Sequence, residues 1–418
     1  MKYLKISIMI IFTIFFLLSC DIKDKDVTEI TFWHVMGGPA GDALKEIVDS
    51  FNMKNPEYRI VPISVGTYEA LSTKLMASMS NPPVISQVYE SWTSEFYNSG
   101  VIEPIEELID EDFKKDIEND FFEIFVKDNT FNGKLLSLPF NKSVPAYFYN
   151  KDMFKKFSIE KFPDNWEEFI SVTKKLTVDL DKDGKIDLHG TAFNINVWMF
   201  ECRLFQYNGA LVDSNMNPLF NTPAGVKAIE IDKRIINVDK SGYITTGYQH
   251  QDDFLAKKVA IIYGSTVSLS FIKEAKPEFE FGVAPVPAGD KKAVVISGTN
   301  VAVFKKSSKK QKEGAVKFIK YFTSPEIQSY WSYRTGYLPV RKSSMDSELL
   351  KKRFEEYPGL KDVYLQLENS YMEPQDRIWY LGRKYLGNAL EYAIKGNQDS
   401  KKVLDEAAQE ILKEIKKK

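Results

Sequence analysis

Apolar residues along the chain fall into two alternating rhythms. "EITFWHV" (residues 29–35) reads as a strand, and the segment after it places Ala40, Leu44, Ile47, Val48 and Phe51 on one face of a helix. "YRIVPISV" (58–65) predicts the next strand and "YEALSTKLMASMS" (68–80) the next helix. "VISQVYE" (84–90) reads as a buried strand. Further along, "NWEEFISVTKKL" (165–176) is a helix opened by Asp164 and Asn165, and "VAIIYGS" (259–265) is a strand. "FEFGVAPVPAG" (279–289) and "AVVISGTNVAVFKK" (293–306) follow as strands, then a helix at "KEGAVKFIKYFTS" (312–324). A last helix puts Leu404, Ala408, Ile411 and Ile415 on one side. Strands and helices that alternate in this way predict an α/β architecture.

The first residues follow neither rhythm. Lys2 and Lys5 precede the apolar run Ile6–Leu18, which meets Ser19 and Cys20. A basic start, an apolar stretch too short to span a membrane (~20 residues are needed) and a small residue before the break predict a signal peptide over 1–19. "LLSC" (17–20) resembles the lipobox of bacterial lipoproteins, in which the cysteine becomes the acylated first residue of the mature chain. On that reading Cys20 carries the lipid, palmitate included, and residues 20–27 form a polar tether. The body is then expected outside the cytoplasm, anchored in the cell envelope and facing the periplasm or exterior. Only Cys20 and Cys202 are present, so an acylated Cys20 leaves Cys202 without a partner, and no disulfide framework or zinc cluster can form. Basic and acidic residues nearly balance, 56 against 58, with no basic block in the body, which argues against nucleic acid. A length of 418 residues suggests two domains.

Candidate chemistry is sparse. Gly37, Gly38 and Gly41 match neither the dinucleotide fingerprint nor a P-loop, so they read as a turn between strand and helix. His34, His189 and His250 lie far apart, with no metal-binding spacing, and no G-x-S-x-G elbow is present. An exported hydrolase would need a metal cluster or a nucleophile–base pair, and neither can be assembled; the expectation is a protein that is not an enzyme and requires no cofactor. One loop is more distinctive. "DLDKDGKIDLHG" (179–190) sets Asp179, Asp181, Asp183 and Asp187 at positions 1, 3, 5 and 9 of a calcium loop, with Gly184 at the turn. Position 12 is Gly190 where such loops carry a bidentate glutamate. Two readings stay open: a weak structural Ca²⁺ site and a solvated acidic turn.

"LPFNKS" (138–143), "QVYES" (87–91) and "RTGYLPVRKS" (334–343), together with "FPDNWEEF" (162–169) and the opening strand–helix, resemble the solute-binding proteins of ABC importers. They are similar in particular to the glycerol-3-phosphate-binding branch of the carbohydrate-binding family. The resemblance implies two α/β lobes that close over a ligand. One lobe would comprise 28–139 plus 285–340, the other 140–284 plus 341–418, with hinges near Pro139–Val144, Phe279–Pro285 and Leu338–Arg341. It further implies a monomer that hands its small-molecule ligand to permease subunits and their ATPase. Carried over residue by residue, the branch's ligand set falls on Tyr68, Glu90, Ser143, Ser265, Gly298, Tyr337 and Arg383. Of the two tryptophans that flank the ligand in the branch, Trp198 matches one, while the other falls on Ile195. In such a set Arg383 would fork onto phosphate oxygens and Glu90 would accept from ligand hydroxyls. The missing indole predicts a wider cleft, suited to a glycerophosphodiester or larger polyol; a neutral oligosaccharide is the alternative.

Overall fold

The computed structural model describes residues 27–417, so the signal peptide and Cys20 lie outside the described residues. The chain builds two sheets flanked by helices, one in each lobe. In the first lobe β1 (Thr28–His34) runs into α1 (Gly38–Lys54), then β2 (Tyr58–Ser64), α2 (Tyr68–Ala77), β3 (Ile85–Val88) and α3 (Glu90–Asn98). A two-residue strand, β4 (Ile102–Glu103), follows. The long β5 (Leu138–Ser143) is buried throughout and is the last strand of this lobe before the chain crosses.

The second lobe begins at β6 (Pro145–Asn150), with Val144 alone between the two strands. It continues through α4 (Trp166–Lys175), β7 (His189–Phe193), α5 (Val197–Gln206), β8 (Gly242–Ile244), β9 (Val259–Ser265), α6 (Ser268–Glu274) and β10 (Phe281–Ala284). The chain returns to the first lobe as β11 (Ser297–Phe304), followed by α7 (Lys309–Phe322) and α8 (Pro325–Thr335). Two helices close the chain: α9 (Arg377–Ile394) and α10 (Ser400–Ile415) pack on each other and on the second lobe.

The first sheet has the order β2–β1–β3–β11–β4, with β5 also paired to β11. The second runs β8–β7–β9–β6–β10. β9 sits at the centre, parallel to β7 and antiparallel to β6, and Val259–Tyr263 are all buried. That double coverage is why "VAIIY" reads as an unbroken apolar run. In α1 the buried face is Ala40, Ala43, Leu44, Ile47, Val48 and Phe51, the periodic set of the sequence with Ala43 added. α4 starts as its sequence predicts, Asn165 accepting from the Glu168 amide.

Crossing segments meet at the hinge. The Leu338 amide donates to the Lys142 carbonyl at 2.7 Å, and the Thr266 amide donates to the Val144 carbonyl at 3.0 Å. Residues 285–296 cross more slowly: Ala288 bridges Asn165, and the Val295 amide donates to the Cys202 thiol at 3.2 Å, so the segment packs on the second lobe until Ser297. Cys202 is buried, and burial raises its thiol to about 12, which keeps it protonated and inert.

Candidate functional site

A cavity of about 860 Å³ opens between the lobes. Its walls come from the carboxyl ends of parallel strands: Val35 and Met36 after β1, Tyr89 after β3 and Ser265 at the end of β9. Open α/β sheets bind ligands at that edge, where side chains leave the strands and helix starts are near. Two cavities of 730 and 800 Å³ lie elsewhere, around 359–370, but neither draws on these strand ends.

Six residues expected from the sequence line the cleft: Tyr68, Ser143, Trp198, Ser265, Gly298 and Tyr337. Local structure fixes four of them. Thr67 caps α2 by accepting from the Ala70 amide, which sets Tyr68 at the first helical position. The Tyr68 hydroxyl accepts from Asn141 Nδ2 at 3.1 Å, and its ring leans on Tyr89 at 5.0 Å. Tyr337 stacks on buried Trp331, rings 5.5 Å apart and 5° from parallel. Burial raises the phenols of Tyr68 and Tyr337, so both stay neutral and keep a proton to donate. Asn196 caps α5 and receives the Trp198 amide at 2.8 Å, while the Trp198 indole donates to the Val295 carbonyl at 2.8 Å. That bond anchors the indole in the wall. Gly298 has φ +109°, and a Cβ there would lie 1.8 Å from the Asn141 carbonyl, so only glycine lets β11 approach β5.

Behind this wall Gln87, Asn141 and Thr299 form a buried amide–hydroxyl network. Gln87 Nε2 donates to Asn141 Oδ1 at 3.1 Å and to Thr299 Oγ1 at 2.9 Å, while its Oε1 receives the Val35 amide at 2.7 Å. A fully satisfied network of this kind holds the cleft edge rigid.

Glu90 and Arg383 are placed differently. Neither lies in the cavity wall; both belong to an ionic cluster beside Tyr89, whose phenol borders the cavity and feels Glu90, Arg383 and Glu373. Arg383 Nη1 contacts both carboxylate oxygens of Glu201 at 3.4 Å and bonds Glu373 closely. Burial pulls the guanidinium's affinity for its proton down, but Glu201 and Glu373 more than reverse this. Lys142 and Asp128 form a second pair at 2.5 Å, with side chains only 1% and 3% exposed. Among the described residues no cation pairs with Glu90: burial first, then the charges of Asp128 and Glu373, push its carboxyl up to about 8, against the pull of Lys142.

Ile195 does not face the cleft. It packs against the apolar cluster of α5, α9 and α10, whereas Asn196 and Trp198 reach the cavity. The wider cleft inferred from that position therefore loses its footing.

Sequence reasoning missed Tyr89, Asn141, Asn196, Tyr248, Gln251 and Ser297 in the wall. Asn141 and Ser297 sit within or next to stretches already singled out. Tyr248, 76% exposed in an irregular segment, carried one signal: a large aromatic with no periodic partner.

The acidic loop brings Asp179, Asp181 and Asp187 together, with ligand oxygens within 4.8 Å of one another, but leaves Asp183 out. These carboxylates also hold the loop's own backbone: Asp179 accepts from the Lys182 and Gly184 amides, Asp187 from those of Leu180 and Asp181. His34 Nδ1 accepts from the Met36 amide, and burial lowers its pKa to about 4, so it is a neutral structural group and not a base.

Residues 46–361 match the family described as bacterial extracellular solute-binding protein. The chain belongs to that family. The sn-glycerol-3-phosphate-binding periplasmic protein UgpB of Yersinia pseudotuberculosis is 30% identical over 411 residues, 91% of this chain and 90% of the relative. The protein of the same name from Escherichia coli K12 is 30% identical over 407 residues, 92% and 91% of the two chains. Among solved structures, UgpB of Mycobacterium tuberculosis with glycerophosphocholine superposes with a TM-score of 0.81 at 24% identity, covering 92% of this chain and 98% of that one. The Listeria monocytogenes substrate-binding protein Lmo0181 with cycloalternan gives 0.80 at 20% identity, covering 93% and 99%. The two-lobe fold of periplasmic binding proteins is thus this chain's fold, and its role is that of an ABC-importer solute-binding protein.

Proposed function

We propose that the chain captures glycerol-3-phosphate or a glycerophosphodiester in the interlobe cleft and delivers it to permease subunits driven by their ATPase, while anchored to the membrane through acylated Cys20. The observation that carries this reading is the joint placement of Tyr68, Ser143, Ser265, Gly298 and Tyr337 around one cavity, with Trp198 as an apolar wall and Arg383 beside it. Kinship with the glycerol-3-phosphate-binding relatives over nine-tenths of the chain supports it. Hydroxyls and amides replace water around ligand oxygens, and the nearby guanidinium supplies the charge a desolvated phosphate needs. Titration with glycerol-3-phosphate, glycerophosphocholine and maltose tests the reading. Arg383→Ala is expected to weaken a phosphorylated ligand by at least about thirtyfold, the loss that follows from removing one partner of a buried charged pair. A loss below about threefold removes the proposed anchor.

A neutral sugar is the second reading, favoured by a specific observation: Arg383 is already neutralised by Glu201 and Glu373, and the cavity wall itself contains hydroxyls, amides and aromatic rings but no cation. Tight binding of maltose with no response to glycerol phosphates would put it first.

A further inference from the structure

The cluster beside Tyr89 has an imbalance that decides what Arg383 can do. One guanidinium faces two carboxylates, and those two differ in kind. Glu201 projects from α5, one turn after Trp198, and its side chain is 0% exposed. Without Arg383 it would be a buried charge with no counterion, which is strongly unfavourable. Glu373 sits on the connection between Tyr371 and α9, and its side chain keeps 14% exposure. It follows Met372 and precedes Pro374, outside any helix or long strand. Two residues on, Gln375 Nε2 donates to the carbonyls of Lys127 at 3.1 Å and Asp128 at 2.9 Å, tying this connection to the first lobe. Both carboxylates approach the same nitrogen, Nη1, and Arg383 itself keeps 32% side-chain exposure.

We propose that Glu373 is an internal competitor for Arg383: its carboxylate holds the guanidinium, and an oxyanion binds by displacing it while Glu201 stays in place. This rests on the proposed function only in assigning Arg383 to an oxyanion; the competition is a property of the cluster. A phosphate or sulfate oxygen can take the place of the one oxygen Glu373 offers to Nη1, and the anion's other oxygens can accept from the remaining guanidinium N–H groups. Displacing the loop carboxylate leaves it near water, whereas displacing Glu201 would strand it in the core. Glu373 therefore sets selectivity: it raises the threshold for any anion and leaves a neutral polyol that uses only the cleft hydroxyls unaffected.

Sulfate is the probe, since its charge is constant over the working pH range. Its dissociation constant is measured by thermal-shift and calorimetric titration on the full soluble chain, wild type against Glu373→Gln. Removing a charged hydrogen-bond competitor is expected to tighten sulfate binding at least about tenfold. Glu373→Asp, whose carboxylate is one methylene shorter, is expected to fall between the two and serves if the glutamine variant is unstable. The gain must also vanish when Arg383→Met is added to Glu373→Gln. Equal or weaker sulfate binding in the folded Glu373 variants overturns the proposal, and so does a gain that survives Arg383→Met, because it would reflect net charge alone. If sulfate behaves as expected while neither glycerol-3-phosphate nor glycerophosphocholine binds, the competition stands and the proposed function falls.

Discussion

Replacing Glu90 by glutamine tests the electrostatics of the ionic cluster beside the cleft. In the folded protein the Glu90 carboxyl titrates at about 8, raised chiefly by burial and then by Asp128 and Glu373. In the unfolded chain a glutamate ionises near ~4.3. The folded state therefore holds a proton that the unfolded state has released, so stability declines as pH rises from about 4.5 through about 8. A full proton difference gives a slope of about 1.4 kcal/mol per pH unit, and roughly 4 kcal/mol between pH 5 and pH 8. Structural relaxation and water penetration around a buried charge bring the expected figure down to about 2–4 kcal/mol. An amide at position 90 cannot ionise, so Glu90→Gln should track the wild type at pH 5 and exceed it progressively up to pH 8. Urea unfolding at four pH values, with m unchanged between the proteins, reads the difference. His34, whose lowered value of about 4 acts with the opposite sign below pH 6.5, is common to both proteins and cancels. A difference that stays flat within about 0.5 kcal/mol across the range would show that Glu90 does not carry this proton.

Other expectations follow from the same geometry. Gly298→Ala should cost more than about 2 kcal/mol, because the added carbon meets the Asn141 carbonyl at 1.8 Å in a left-handed backbone; an unchanged urea midpoint would refute the close approach. If the Asp179–Asp181–Asp187 cluster takes Ca²⁺, a chelator should lower the melting temperature and added Ca²⁺ restore it; identical melts of stripped and loaded protein would leave the loop a solvated turn. Saturating ligand should reduce the radius of gyration in small-angle scattering as the lobes close, and an unchanged profile with proven binding would argue against closure about Val144.

The alternating burial of β1, the unbroken buried run of β9 and the single apolar faces of α1 and α7 left strong marks in the sequence, so these elements were legible in advance. The cleft was legible where residues lie in short stretches with their own turn chemistry, as at Gly298 and Tyr337. The ionic cluster was not. Arg383 meets Glu201 across 182 residues, and no periodicity signals a pairing set by the packing of α9 on α5. Ile195 misled for a related reason: at a helix entry, one residue decides whether a side chain turns to the cleft or to the helical core, and the cap at Asn196 makes that decision.

A single residue, Val144, separates β5 of one sheet from β6, the first strand of the other, and the neighbouring crossing is tied to it by the Leu338–Lys142 bond. Sliding of one sheet past the other would pull on both ladders at once, and a bend about the joint is opposed chiefly by the Gln375 bonds to the Lys127 and Asp128 carbonyls. If the lobes close on a ligand about this joint, its width would set the angle between them. Ligands of different girth would then leave the two outer faces at different tilts, which scattering measured with ligands of increasing size would read.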